Sequence, residues 1–307
     1  IVEGDFADVP EIAAARERVM VLGQGVFDGL RTVEDFELVW SETSTRFQTV
    51  NGQREPIIRM RPGEVQRWRL VNAGYQDDMR LHLDGHDLSV VAYDGISLDH
   101  IETMDELLMA PGQRADVLIK AGEPGSYLLA VLPNDQGYPS ANGPLAHVIV
   151  EGEPLPMDLP AALPLSPLAP IADAELTGSR DVVFAVNHPE AEAAGHPEEF
   201  DFLVDGKVFD PNRVDQEIDL GAVEEWTIIN THFDDHVFHI HINPFLVTAI
   251  NGAPVEQPIW RDTVIVPRFS SITFRSRFID YPGRYVLHCH MMNHEALGMM
   301  QLVEVRE

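Results

Sequence analysis

The chain has 307 residues, 45% of them apolar, and a formal charge of −29 at pH 7. That length suggests two ordinary domains, the charge repels phosphate and so excludes nucleic acid as a partner, and no apolar run approaches the roughly 20 residues of a membrane span. The single cysteine, Cys289, excludes an intramolecular disulfide. The acidic surplus favours solubility and attracts cations, metal ions included.

Ile1-Val2-Glu3-Gly4 has neither a basic segment nor a long apolar segment, so no signal peptide is expected there, and the chain does not begin with Met. A short helix is predicted over 11–18, in a connector that occupies 1–33. Strands follow. Ile57-Ile58-Arg59-Met60-Arg61 leads through Pro62-Gly63 to Val65-Gln66-Arg67-Trp68-Arg69-Leu70, where Trp68 and Leu70 share a face at period two. One sandwich is therefore expected over 34–152. Residues 153–180 form a linker whose first part is rich in Pro, Leu and Ala. A second run of short strands fills 181–307.

The two halves repeat each other. Gly63-Glu64-Val65-Gln66-Arg67-Trp68 matches Gly221-Ala222-Val223-Glu224-Glu225-Trp226, and Pro124-Gly125-Ser126-Tyr127 matches Pro282-Gly283-Arg284-Tyr285, both at an offset of 158. Duplicated all-β, Greek-key sandwiches are predicted. At that offset Asp78, Leu81 and Leu83 stand opposite His236, His239 and His241. Ala130, Val131 and Leu132 stand opposite His288, Cys289 and His290. The fold does not require these histidines, so they call for a chemical reason.

Cys289, His294, His236 and Met299 offer a thiolate, two imidazoles and a weak thioether, the donor set of a blue-copper electron-transfer site. In His239-x-His241 and in His288-x-His290, alternate side chains on a strand point the same way, so both pairs can face one cavity. Cys289, between two of these histidines, points to the other side. A zinc site is the rival reading among metals, but it uses four ligands and leaves the remaining candidates unexplained.

His288-Cys289-His290-x3-His294-x4-Met299, preceded by His236-x2-His239-x-His241, resembles the C-terminal domain of multicopper oxidases of the laccase type. The resemblance implies two cupredoxin-like sandwiches. It also implies copper: a type 1 site at His236, Cys289, His294 and axial Met299, and half of a type 2/type 3 trinuclear cluster. His239 would serve type 2, and His241, His288 and His290 would serve type 3. Glu295 matches an acidic residue that relays protons in some bacterial members. Asp262, in Trp260-Arg261-Asp262-Thr263-Val264, resembles a structural motif of the family. The first half resembles the copper-free middle domain, with His82 and His86 structural.

The family's cluster takes further His-x-His pairs from a first domain, and this chain has none to supply. Ile1-Val2-Glu3-Gly4 resembles the last strand of such a domain, so a missing N-terminal cupredoxin domain is expected as a partner. The implied activity is one-electron oxidation of phenols, aromatic amines or metal ions, coupled to reduction of dioxygen to water, in the periplasm or outside the cell. A blue-copper electron-transfer or copper-binding protein without oxidase activity is the alternative.

Overall fold

The computed structural model describes residues 6, 8–27, 45–163, 168–187 and 201–307. The sequence readings at Ile1-Val2-Glu3-Gly4, 28–44, 164–167, His188 and His196 lie outside the described residues. Among the described residues, no helix is long and apolar enough to cross a membrane.

The chain divides into two compact units, each an all-β sandwich. The first contains a short helix α1 (Pro10–Ala14) and strands β1 (Arg16–Phe27), β2 (Thr45–Val50), β3 (Ile57–Met60), β4 (Val65–Asn72), β5 (Met79–Leu83), β6 (Leu88–Tyr93), β7 (Ile96–Met104), β8 (Glu106–Met109), β9 (Arg114–Lys120), β10 (Gly125–Leu132) and β11 (Gly143–Val150). Its sheets run β2-β1-β4-β9-β6-β7 and β3-β11-β10-β5-β8.

The second unit contains β12 (Gly178–Val186), β13 (Phe202–Val204), β14 (Val214–Asp219), β15 (Ala222–Asn230), β16 (His236–Ile240), β17 (Phe245–Ile250), β18 (Ala253–Arg261), β19 (Thr263–Val266), β20 (Ser271–Phe278), β21 (Gly283–Cys289), a short helix α2 (Met292–Ala296) and β22 (Met300–Arg306). Its sheets run β13-β12-β15-β20-β17-β18 and β14-β22-β21-β16-β19. The order is that of the first unit, strand for strand, as the sequence repeat predicts.

Alternation builds these layers. In β20, Ile272, Phe274, Ser276 and Phe278 turn inward and their neighbours outward. Phe274 stacks on Phe245 at 4.3 Å between ring centroids, and Trp226 lies 6.0 Å from Phe274. Each such buried aromatic contributes about 1.5–3 kcal/mol of transfer free energy. Asp94-Gly95 joins β6 to β7 and Asn251-Gly252 joins β17 to β18, all four residues at positive φ, the conformation a two-residue hairpin turn demands. Residues 153–163 and 168–172 form neither helix nor strand.

Two sequence expectations change. The helix predicted over 11–18 ends at Ala14, and β1 starts at Arg16. Residues 16–27 are thus part of the sheet rather than of a connector: Arg16–Leu22 pairs in parallel with β4. A five-residue helix has little stability of its own, so the paired strand prevails.

The second change is one of register. Met79 pairs with Met109 as His236 pairs with Val266, and His82 pairs with Ala130 as His239 pairs with His288. The offset here is 157, because 231–235 is one residue shorter than 73–78. The counterparts of His236, His239 and His241 are therefore Met79, His82 and Asp84, not Asp78, Leu81 and Leu83. A one-residue slip moves every side chain of a strand to the other face.

Candidate metal centre

Three strands and one helix converge at one end of the second sandwich. Phe238 pairs with Cys289, and His239 pairs with His288 on one side and Thr263 on the other. Helix α2 follows at once and carries His294. Its chain returns to the sheet through Gly298, at φ +114, where a Cβ would meet Val208 Cγ1 at 2.5 Å. Met299 N–H donates to His294 O at 2.9 Å, and Cys289 N–H donates to Met299 O at 3.0 Å. The loop from Cys289 to Met299 is thereby closed on itself.

Cys289, His236, His294 and Met299 are all buried. The Nδ1 atoms of His236 and His294 are 2.9 Å apart, and Cys289 Sγ lies 3.7 Å from the first and 3.5 Å from the second. Ligand atoms about 2.0–2.3 Å from a shared ion stand roughly 3–4 Å from one another, so the spacing suits one ion. Val237 N–H donates to Cys289 Sγ at 3.4 Å, a contact that favours a thiolate. Burial, then the neighbouring His294 and His232, holds the His236 imidazole well below its ordinary range. Burial, then His232, lowers His294 to about 3. Both rings are neutral at pH 7, the form that ligates metal. A thiolate with two neutral imidazoles in an apolar box is a donor set that fits copper.

The other face of the same strands carries the second group. Ligand atoms of His239, His241 and His288 lie within 4.8 Å of one another, with His241 Nε2 and His288 Nε2 3.4 Å apart. The His290 ring centroid is 5.3 Å from those of both His239 and His288. Burial is the main cause that lowers His239 and His288 to about 4 each, with neighbouring imidazoles adding to it. His241 is lowered as well, by burial and by His290. His288 Nδ1 donates to Cys289 O at 3.0 Å, and Glu295 Oε2 lies 3.1 Å from the same nitrogen.

Some neighbours carry no sequence signal. His232, an isolated histidine in the sequence, is buried with its ring stacked 5.2 Å from His236. Phe202 stacks on His294 at 4.2 Å. Only the turn that seats His232 and the strand that carries Phe202 bring them here. His82 and His86 stay apart from both groups. His82 Nδ1 donates to Asp105 O at 3.0 Å, and His86 Nε2 accepts from Gly122 N–H at 3.1 Å.

Residues 17–154 and 180–307 each match a sequence profile described as multicopper oxidase. Among curated proteins the chain is similar to a laccase of Bacillus stratosphericus, 28% identical over 83% of this chain and 54% of that protein. It is also similar to the multicopper oxidase mco of Staphylococcus aureus, 24% identical over 83% of this chain and 51% of that protein. Cell division protein FtsP of Yersinia pestis is 30% identical over 71% of this chain and 45% of its own. The chain spans about half the length of these relatives. Its fold resembles a variant of McoA from Aquifex aeolicus (TM-score 0.83, 21% identity, all of this chain and 71% of that one). A metallo-oxidase from Campylobacter jejuni is similar too (TM-score 0.80, 24% identity, 97% of this chain and 65% of that one).

Proposed function

This chain belongs to the multicopper oxidase family, and from that premise we propose that it carries the electron-entry copper site and half of the oxygen-reducing copper cluster of such an oxidase. His236, Cys289 and His294, with Met299 as axial ligand, would hold the mononuclear copper. His239, His241, His288 and His290 would supply half of the cluster. Copper supplies one-electron redox chemistry at the thiolate site and, in a complete cluster, the reduction of dioxygen to water.

One observation carries the reading: Cys289 and His288 are consecutive in the chain, yet each belongs to a different ligand group. A single peptide link joins the thiolate to a cluster imidazole, so an electron travels between the groups through covalent bonds. The apolar walls, Phe184 at 5.8 Å and Phe202 at 6.3 Å from the His236 ring, exclude water and hold the rings in place. Glu295, beside His288 Nδ1 and half-exposed, is positioned to hold a proton between solvent and the cluster.

The reductants that fit this reading are phenols, aromatic amines or low-valent metal ions, in a periplasmic or secreted setting. The test is to load the chain with copper and measure stoichiometry and visible absorption. An intense thiolate-to-copper band is expected, and its absence would overturn the mononuclear assignment. Oxygen uptake with a phenolic donor then decides the oxidase claim. The histidine count favours a second reading: among 13 histidines only two His-x-His pairs occur, so a band without oxygen uptake would mark a blue-copper electron carrier.

A further inference from the structure

The inference concerns His239, and it rests on the reading of that residue as a metal ligand. Its Nδ1 lies 2.8 Å from the backbone oxygen of Asp262 and 3.0 Å from Thr263 Oγ1. Thr263 Oγ1 in turn donates to Asp262 Oδ1 at 2.7 Å. A carboxylate only accepts, so the hydroxyl's one hydrogen is committed to Asp262. What Oγ1 offers His239 is a lone pair, and Asp262 O offers another. Both demand a hydrogen on Nδ1, which leaves the Nε2 lone pair bare.

The first sandwich supplies the comparison. His82 stands at the position of His239, and its Nδ1 donates to Asp105 O at 3.0 Å just as His239 donates to Asp262 O. At the place of Thr263 it has Glu106, paired with Arg80 at 3.3 Å. A carbonyl alone therefore suffices to seat a histidine on this strand. The hydroxyl, buried and backed by a carboxylate, exists only where the histidine joins a cluster of imidazoles.

We propose that Asp262 and Thr263 are positioning residues that fix His239 as the Nδ1–H tautomer, so that Nε2 is the atom presented to the ion. Asp262 acts through Thr263. Without the carboxylate, the hydroxyl is free to donate to His239 Nδ1 and stabilise the other tautomer, which blocks Nε2 with a proton.

The experiment uses two readouts on the 307-residue chain. ¹⁵N NMR of the metal-free chain reads the tautomer directly. Equilibrium dialysis against Cu(II), with a competing chelator, reads affinity at the site that lacks the thiolate band. Asp262→Ala and Thr263→Val are expected to shift His239 toward a tautomer mixture and to weaken that site about 10–100-fold, the usual effect of losing an outer-shell partner. The thiolate band should persist in both. Thr263→Ser, which keeps the hydroxyl, should restore the tautomer and the affinity.

An unchanged tautomer in both disruptive variants overturns the proposal, and so does a Thr263→Ser chain as weak as Thr263→Val. If the disruptive variants lose the thiolate band, the Ser variant and Asp262→Asn decide it by the same two readouts. If the parent chain binds no Cu(II) at this site, the metal reading of His239 fails, while the tautomer measurement still decides the role of Asp262 and Thr263.

Discussion

In the first sandwich Val131 pairs with Leu81, and both are buried; in the second, Cys289 pairs with Phe238 at the same place in the same sheet order. Met79 fills the position that His236 takes in the second. One sandwich completes its core there with hydrocarbon, and the other substitutes a thiol and imidazoles. The comparison separates what the fold needs from what the chemistry needs. Apolar side chains satisfy the fold at that end, so the ligands are an addition carried at a cost. That cost is visible in the depressed imidazoles of His294, His239 and His288.

The sharpest way to break the difference is to copy the first sandwich into the second. Cys289→Val places the residue of position 131 at position 289 and should abolish the thiolate absorption of the copper-loaded chain entirely. Circular dichroism should remain that of a folded β protein, since valine already serves this position once.

The next largest effect is on pH dependence. His294, His239 and His288 have folded-state values of about 3, about 4 and about 4, below the ordinary 6.5. Between those values the unfolded chain binds more protons than the folded one, so stability falls as pH falls. Each imidazole contributes about 1.4 kcal/mol per pH unit. The metal-free chain should therefore lose roughly 4 kcal/mol per unit between about pH 6 and pH 4.5, and should level off above about pH 6.5. Urea midpoints across this range test it. Flat midpoints would show that the second sandwich bears no such cost.

A smaller effect follows at Gly298. Its positive φ and the 2.5 Å approach of Val208 Cγ1 leave no room for a side chain. Gly298→Ala should destabilise by about 2–4 kcal/mol and loosen the return of the chain at Met299. Gly143, at φ +132 in the first sandwich with nothing within 4 Å, should lose only about 1 kcal/mol on the same substitution. Equal losses would mean that the copper loop is no more tightly built than an ordinary turn.

The smallest expected effect concerns the shared core. Trp68 Nε1 donates to Gln66 Oε1 at 3.2 Å, and Trp226 Nε1 donates to Glu224 Oε2 at 2.8 Å. Arg18 and Arg180 meet those same side chains. Glu224→Gln makes the second sandwich like the first and should cost about 1 kcal/mol or less. A larger loss by chemical denaturation would show that the two cores depend on different electrostatics.

Much of this was legible in the residues. Trp68 and Leu70 at period two, the anchor at 63 and 221, and the prolines after 153 outlined two sandwiches and a linker. The ligand types at 236–299 pointed to copper without any coordinates. Less legible was residues 16–27, where a local helical pattern competed with parallel pairing to a strand some fifty residues away. Equally hidden was the missing residue between Asn230 and His236, which shifts the register against the first sandwich. A constant offset looks unbroken at its two anchors while the chain between them slips by one.

The sequence by itself determined the chemistry available: a lone thiol between two histidines, imidazoles at alternating positions, and a methionine downstream. Those are covalent facts, and strand alternation converts them into two faces. The tertiary structure alone decided which neighbours surround them. His232 against His236, Phe202 against His294, and Thr263 with Asp262 behind His239 are pairings across strands, set by hydrogen-bond register and by a turn one residue shorter than its counterpart. Period-two alternation says which face a side chain takes, but its neighbour across the sheet depends on register, which the segment's own sequence does not contain.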